Sequence, residues 1–275
     1  MDCWPDTRPK ALAASVAILT LLLGCAEVPI TGRQQLNLVP DALILGLSLQ
    51  EYNQFLSTHK VIASGPDAEM VRQVGQRIRD AVDRFGRKHL AADPFAGCQW
   101  EFVLVEDKAL NAFAMPGGKV VVNTGILPLT VDANGLAVVI GHEIAHLFAR
   151  HGSERLTQGL LLEMGGMALS KALEQRPQQT RQLFMTCYGL GSQIGLLLPY
   201  SRLHEQEADR LGLIFMAMAG YDPHAAIAFW QRMAEQGKGR PSPPEFLSTH
   251  PADQTRIEAI RRLLPEAMEY YQAPR

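Results

Sequence analysis

Apolar residues recur at helical spacing over much of this chain and run together or alternate in a few short strands. Between Pro66 and Val82, the residues Met70, Val71, Val74, Ile78 and Val82 mark one face of a helix, with Asp67 placed to cap it. Residues 41–59 carry the same period. Trp100 to Val105 and Lys119 to Asn123 read as strands, the second following a turn at Pro116-Gly117-Gly118. Leu136 to Gly141 is an unbroken apolar run that continues into His142, which predicts a buried helix capped by Asp132 or Asn134. From there onward the pattern is mostly helical, with breaks expected at Pro177, Pro199, Pro223, Pro241 to Pro244 and Pro251. Gly159 to Leu173 and Leu183 to Leu198 are apolar and glycine-rich, but too short or too interrupted by Glu163, Ser192 and Gln193 to span a membrane. Buried helices over a cleft are the expected reading, and contact with a membrane surface is the alternative. The whole pattern predicts one α+β domain, mostly α-helical, with a small β-sheet.

The N-terminus follows a different rule. Arg8 and Lys10 precede an apolar stretch from Ala11 to Leu23 that ends in Leu22-Leu23-Gly24-Cys25. This is the length of a signal-peptide core rather than of a membrane span. A small residue directly before cysteine resembles a bacterial lipobox, which implies cleavage before Cys25 and lipidation of its thiol. Ala26 in place of an aspartate then favours the outer membrane. The expected organisation is a lipoprotein signal peptide over 1–24, a lipidated tether over 25–40 and a catalytic domain over 41–275. Of the other cysteines, Cys98 and Cys187 remain in the mature chain. An oxidising compartment permits a bridge between them, but two free thiols are expected. A net charge of −2 on 275 residues, without a basic run, gives no support for binding nucleic acid.

The chemistry concentrates in His142-Glu143-Ile144-Ala145-His146. Two histidines one helical turn apart can reach one metal, and the glutamate beside the first can act as general base toward an attacking water. On a buried helix such groups are costly unless something coordinates or pairs them. A catalytic zinc needs a third protein ligand. His151 lies about 140° around a continued helix from His146 and is set aside. In the segment from Ser201 to Arg210, where Ser201 could cap a helix, Glu205 and Asp209 share a face while Glu207 points elsewhere. Glu205 is therefore the expected third ligand. Asp209, one turn on, is placed to accept the remaining ring N–H of a ligating histidine.

With Cys25 and Pro29 to Arg33, Asn111 to Gly118, His142 to His146, Ser201-Arg202 with Glu205 and Asp209, and His250-Pro251 with Arg256, the chain resembles the HtpX-like and CAAX-prenyl-protease family of zinc metallopeptidases. It is most similar to the soluble periplasmic branch of these gluzincins. The resemblance implies an endopeptidase with one Zn²⁺ per chain, completed by Glu205. It also allows His250 to act as a fourth zinc ligand that displaces the catalytic water; a local loop cap is the other reading. Tyr200, His204 and Arg256 are candidate donors to the transition state. The segment from Asn111 through Gly117, Gly118, Val120, Val121 and Val122 is expected to form a strand edging the cleft, where an extended peptide could add. The implied role is quality control of unfolded or misassembled envelope proteins at the periplasmic side of the outer membrane, with outer-membrane assembly machinery as a possible partner. A chaperone-like assembly factor with masked or structural zinc is the alternative.

Overall fold

A computed structural model describes residues 25–90, 93, 95–176, 178–192, 198–238 and 244–271. The expected leader over residues 1–24 and the side chains of Cys25, Tyr200 and Cys187 lie outside the described residues. Cys98 is a free thiol.

The described residues open with a hairpin of β1 (Cys25–Glu27) and β2 (Gln34–Leu36), followed by α1 (Asp41–Thr58), β3 (Val61–Ile62) and α2 (Pro66–His89). Strands β4 (Glu101–Val105), β5 (Ala112–Met115) and β6 (Lys119–Asn123) come next. A 3₁₀ turn and the short α3 (Leu127–Thr130) lead into α4 (Ala133–Phe148), which carries the histidine pair. Then come α5 (His151–Ala172), α6 (Gln178–Ser192), α7 (Leu198–Met218), α8 (Ala225–Gly237), α9 (Glu245–Thr249) and α10 (Gln254–Glu269). The fold is α+β and mostly helical, as the sequence pattern predicts.

The sheet runs in the order β3-β4-β6-β5, with β4 and β6 parallel and the outer pairs antiparallel. Alternation sorts its side chains between two cores. Val103, Val105 and Val121 pack with Tyr52 of α1 on one face. Phe102, Leu104, Val120 and Val122 join the main core with α2 and α4 on the other. The expected cleft-edging strand is thus corrected. Val120, Val121 and Val122 are fully buried in a central strand with neighbours on both sides, and β5 is an edge strand with no second strand partner among the described residues. Three consecutive buried valines are the mark of a strand covered on both faces.

Helix α4 is buried nearly all round. Leu136, Ile140 and Ile144 are fully enclosed, each worth about 1.5–3 kcal/mol of apolar burial. Asp132 caps it, accepting from the N–H groups of Asn134 and Gly135 at 2.9 and 3.0 Å. Its closest neighbour is α7. A Cβ on Gly141 would stand 2.9 Å from the Gly212 carbonyl, so the two backbones touch where glycine faces glycine. This contact brings the Glu205 end of α7 alongside His142 and His146.

Four local expectations change. Pro66 occupies the first turn of α2 after Gly65, so Asp67 lies inside the helix and does not cap it. Helix α7 begins at Leu198, which puts Pro199 in its first turn and Ser201 within the helix. The tether over 25–40 is a folded hairpin: Val28 is fully buried in the main core. Helices α5 and α6 do not form a buried cover. Leu156, Leu160, Met164, Met167 and Phe184 are exposed, with Met167 at 59 %. No helix among the described residues is long and apolar enough to cross a membrane.

Candidate metal centre

His142 and His146 leave α4 from successive turns, and α7 brings Glu205 against them. His142 Nε2 lies 3.0 Å from His146 Nε2 and 3.3 Å from Glu205 Oε2, and His146 Nε2 lies 3.3 Å from Glu205 Oε1. His250, just after α9, completes the group. Its Nδ1 is 3.1 Å from His142 Nε2 and 2.8 Å from Glu205 Oε2. One ligand atom from each of the four lies within 4.8 Å of the others. A tetrahedral ion with bonds of about 2.0–2.1 Å would hold its ligands about 3.3 Å apart. The donor set of imidazoles and one carboxylate and its spacing therefore both fit zinc.

Electrostatics agree with a site built for a cation. Burial opposes charge on Glu205, but hydrogen bonds from His142, His146 and His250 outweigh it and hold the carboxyl far below its usual range. Burial likewise opposes charge on His142, yet Asp209 and Glu205 raise its pKa to about 9. His146, half-buried and without a carboxylate on its far nitrogen, is held well below 6.5 by burial.

Glu143 is buried beside the group, with Oε1 3.5 Å from His250 Nε2. Burial raises its pKa. The backbone N–H of Ala114, on the edge strand β5, meets its carboxyl. Among the described residues, Glu143 Oε1 has no hydrogen-bond partner. The loop holding His250 is pinned near the same edge, because Phe246 N–H donates to the Leu110 carbonyl at 3.0 Å. Asn111 closes the strand pair, accepting from Asn123 N–H, and Gly117 and Gly118 make the following turn at φ of 94° and 81°.

Asp209 stands behind His142, its Oδ1 3.1 Å from the ring Nδ1. Arg256 grips Asp209 with two bonds of 2.7 and 2.8 Å, lies 3.2 Å from Glu205 and stacks over Trp230 at 3.6 Å. Its guanidinium is committed to carboxylates, so the candidate role as transition-state donor gives way to one of holding Asp209. His204 is corrected too. It faces away from the four-residue group, donating to Glu154 at 2.9 Å.

Sequence reasoning missed a second cluster behind His146. The helix breaks at Arg150, which adopts φ 55°, and restarts at His151. The turn swings His151 back, so its Nδ1 lies 2.8 Å from His146 Nδ1 and its Nε2 2.9 Å from Glu207 Oε2. Extrapolating one straight helix hid this contact. Glu207, expected to point elsewhere, is buried and also takes Arg33 Nε at 2.7 Å and the Thr31 hydroxyl.

The family model of peptidase family M48 matches residues 71–264. The chain belongs to peptidase family M48. It is 35 % identical over 221 residues to the mitochondrial metalloendopeptidase OMA1 of Schizosaccharomyces pombe, covering 77 % of this chain and 63 % of that one. It is 31 % identical over 248 residues to mitochondrial metalloendopeptidase OMA1 of Homo sapiens, covering 88 % and 46 %. It is also 31 % identical over 183 residues to the beta-barrel assembly-enhancing protease of Yersinia pestis, covering 66 % and 37 %. The chain thus spans from about a third to under two thirds of the length of these curated relatives. The M48 match covers the whole of α4 and α7, and with them the four-residue group.

Proposed function

We propose that this M48 chain is a zinc-dependent endopeptidase that cleaves extended segments of misfolded or misassembled proteins of a cell envelope. The observation that carries the reading is the buried Glu143 carboxyl, set between the His142, His146, Glu205 group and the edge strand β5. Zinc held there would supply a Lewis acid that polarises a carbonyl and acidifies a water. Glu143, its pKa raised by burial, takes the proton of the attacking water and passes it to the leaving amine. The edge of β5 receives the peptide backbone as an added strand, a mode that reads main chain more than side chain and suits unfolded substrates. His142 and His146 are the ligands of the helix, Glu205 the third, and Asp209 orients His142.

A membrane-anchored, periplasmic setting is supported by the apolar run ending at Cys25 and by the similarity to a beta-barrel assembly-enhancing protease. The OMA1 relatives are mitochondrial, so the anchor needs its own test: incorporation of labelled fatty acid that vanishes in Cys25→Ser.

A second reading is favoured by His250, which fills the fourth ligand position. A closed four-ligand site leaves no place for the water. It describes either an enzyme held off until the His250 loop moves or a chaperone-like assembly factor with masked metal. Casein cleavage by the full-length, zinc-loaded protein tests both. Cleavage is expected to fall by about a thousandfold or more in Glu143→Gln, the scale of losing a general base and the electrostatic help around it, and to rise in His250→Ala. If neither wild type nor His250→Ala cleaves while zinc stays bound, the endopeptidase reading is wrong and the masked one stands.

A further inference from the structure

We infer that His151 and Arg33 are positioning residues for His146, so that the N-terminal hairpin clasps one metal ligand from behind. The inference rests on the metallopeptidase reading and goes beyond it.

The proton arrangement follows from the distances. His146 Nε2 faces His142 and Glu205, so it serves a metal only if its proton sits on Nδ1. That Nδ1 lies 2.8 Å from His151 Nδ1, and one of the two nitrogens must donate while the other accepts. With His146 donating, the proton of neutral His151 sits on Nε2, 2.9 Å from Glu207 Oε2. One pattern of neutral tautomers satisfies both contacts of the His146–His151–Glu207 chain, and it leaves the Nε2 lone pair of His146 for a metal.

The hairpin holds the far end. Arg33 donates from Nε to Glu207 at 2.7 Å and from Nη1 to Glu154 at 3.0 Å, with Nη2 2.9 Å from the other Glu154 oxygen in an ion pair. Thr31 donates to the other Glu207 oxygen. Glu154 in turn fixes His204, whose ring stacks on His151 at 4.2 Å. The His151 ring is thus held at its edge by Glu207 and on its face by His204. The turn that aims Thr31 and Arg33 at one carboxylate puts Ile30 at φ 74° and Gly32 at φ 69°. A β-branched residue in the left-handed region is strained, and such strain persists only where surrounding contacts enforce it. A second tie joins the segment to α5, from Leu38 N–H to the Thr157 hydroxyl at 3.0 Å.

The test measures zinc affinity of the full-length protein by competition with a chromogenic chelator, beside the melting temperature of the metal-free protein. His151→Phe keeps a ring but removes both hydrogen bonds; it is expected to weaken zinc about ten- to a hundredfold with little change in metal-free melting. His151→Asn restores an acceptor for His146 and a donor, and is expected to recover affinity to within about threefold of wild type. Arg33→Met in a Glu207→Gln background removes the Arg33–Glu207 pair as a unit, leaving Glu154 with His204, and is expected to cost about tenfold. Affinity in His151→Phe within about twofold of wild type overturns the inference, as does His151→Asn being as weak as His151→Phe. Wild-type protein that takes up no zinc overturns the metallopeptidase reading and this one together.

Discussion

The two histidines of α4 sit one turn apart in the same buried helix, yet their supports differ. His142 has a carboxylate directly behind it, Asp209, held by Arg256. His146 has a second imidazole there, and the carboxylate of Glu207 and the cation of Arg33 come only after it. Burial opposes charge on both rings. The charge at 3.1 Å reverses that for His142, whose pKa rises to about 9, while His146 with a neutral neighbour stays well below 6.5. Glu205 lies 3.3 Å from both rings, so the difference is the second carboxylate, Asp209, which stands behind His142 alone. One ligand is therefore held by charge and the other by geometry.

The largest expected effect follows from that contrast. Asp209→Asn keeps the shape but leaves Arg256 without its main buried partner. It is expected to destabilise the metal-free protein by about 3–5 kcal/mol in denaturant unfolding, whereas His151→Phe leaves stability nearly unchanged. Equal losses in the two variants would break the comparison.

A middle-sized effect is the shape of metal-free stability against pH. His142 has a folded pKa raised above 6.5, so its contribution is complete below about 6.5 and is lost as pH rises toward about 9. Burial lowers the pKa of His151 to about 4, so its contribution is complete above about 6.5 and is lost as pH falls toward 4. Glu207, where burial is outweighed by His151, Thr31 and Arg33, has a folded pKa of about 2 and adds a further loss between about 4.5 and 2. Melting temperature scanned from pH 4 to 9 should show both limbs. Asp209→Asn should flatten the alkaline limb and His151→Phe should weaken the acid one; the reverse pairing would contradict the assignment.

The smallest effect belongs to a region outside both supports. Leu160→Ser and Met164→Ser on the exposed face of α5 should change stability by no more than about 0.5 kcal/mol and leave zinc affinity unaltered. A change in affinity there, read in the same chelator competition, would show that coupling to His146 extends along α5 past Thr157.

The metal-binding half of the site was legible because its spacing is local. His142 and His146 share a helix, and so do Glu205 and Asp209, and a helical turn puts residues four apart on one side. The apolar run before His142 correctly announced a buried helix. The errors fell where a local rule met a tertiary one. His151 falls off the metal-facing side only on a straight helix, and the left-handed Arg150 interrupts that helix. The Val120 to Val122 strand carries the right side-chain pattern, but its place beside β4 and β5 depends on chain order in the sheet. Composition cannot say what an apolar face meets, and Leu156, Leu160, Met164 and Met167 of α5 face outward.

The sequence by itself determined the chemistry offered: which helix holds the histidine pair, which base stands beside it, and which carboxylates one turn apart can serve it. Only the tertiary structure decided what surrounds those groups. His250, Arg256, Arg33 and His151 reach the centre from three separate segments, and the hairpin proposed to be a lipidated tether is also a clasp on α5 and α7. The reason is physical. Backbone periodicity fixes neighbours within a turn, whereas contacts across more than a hundred residues arise from packing of whole elements and leave no period in the chain.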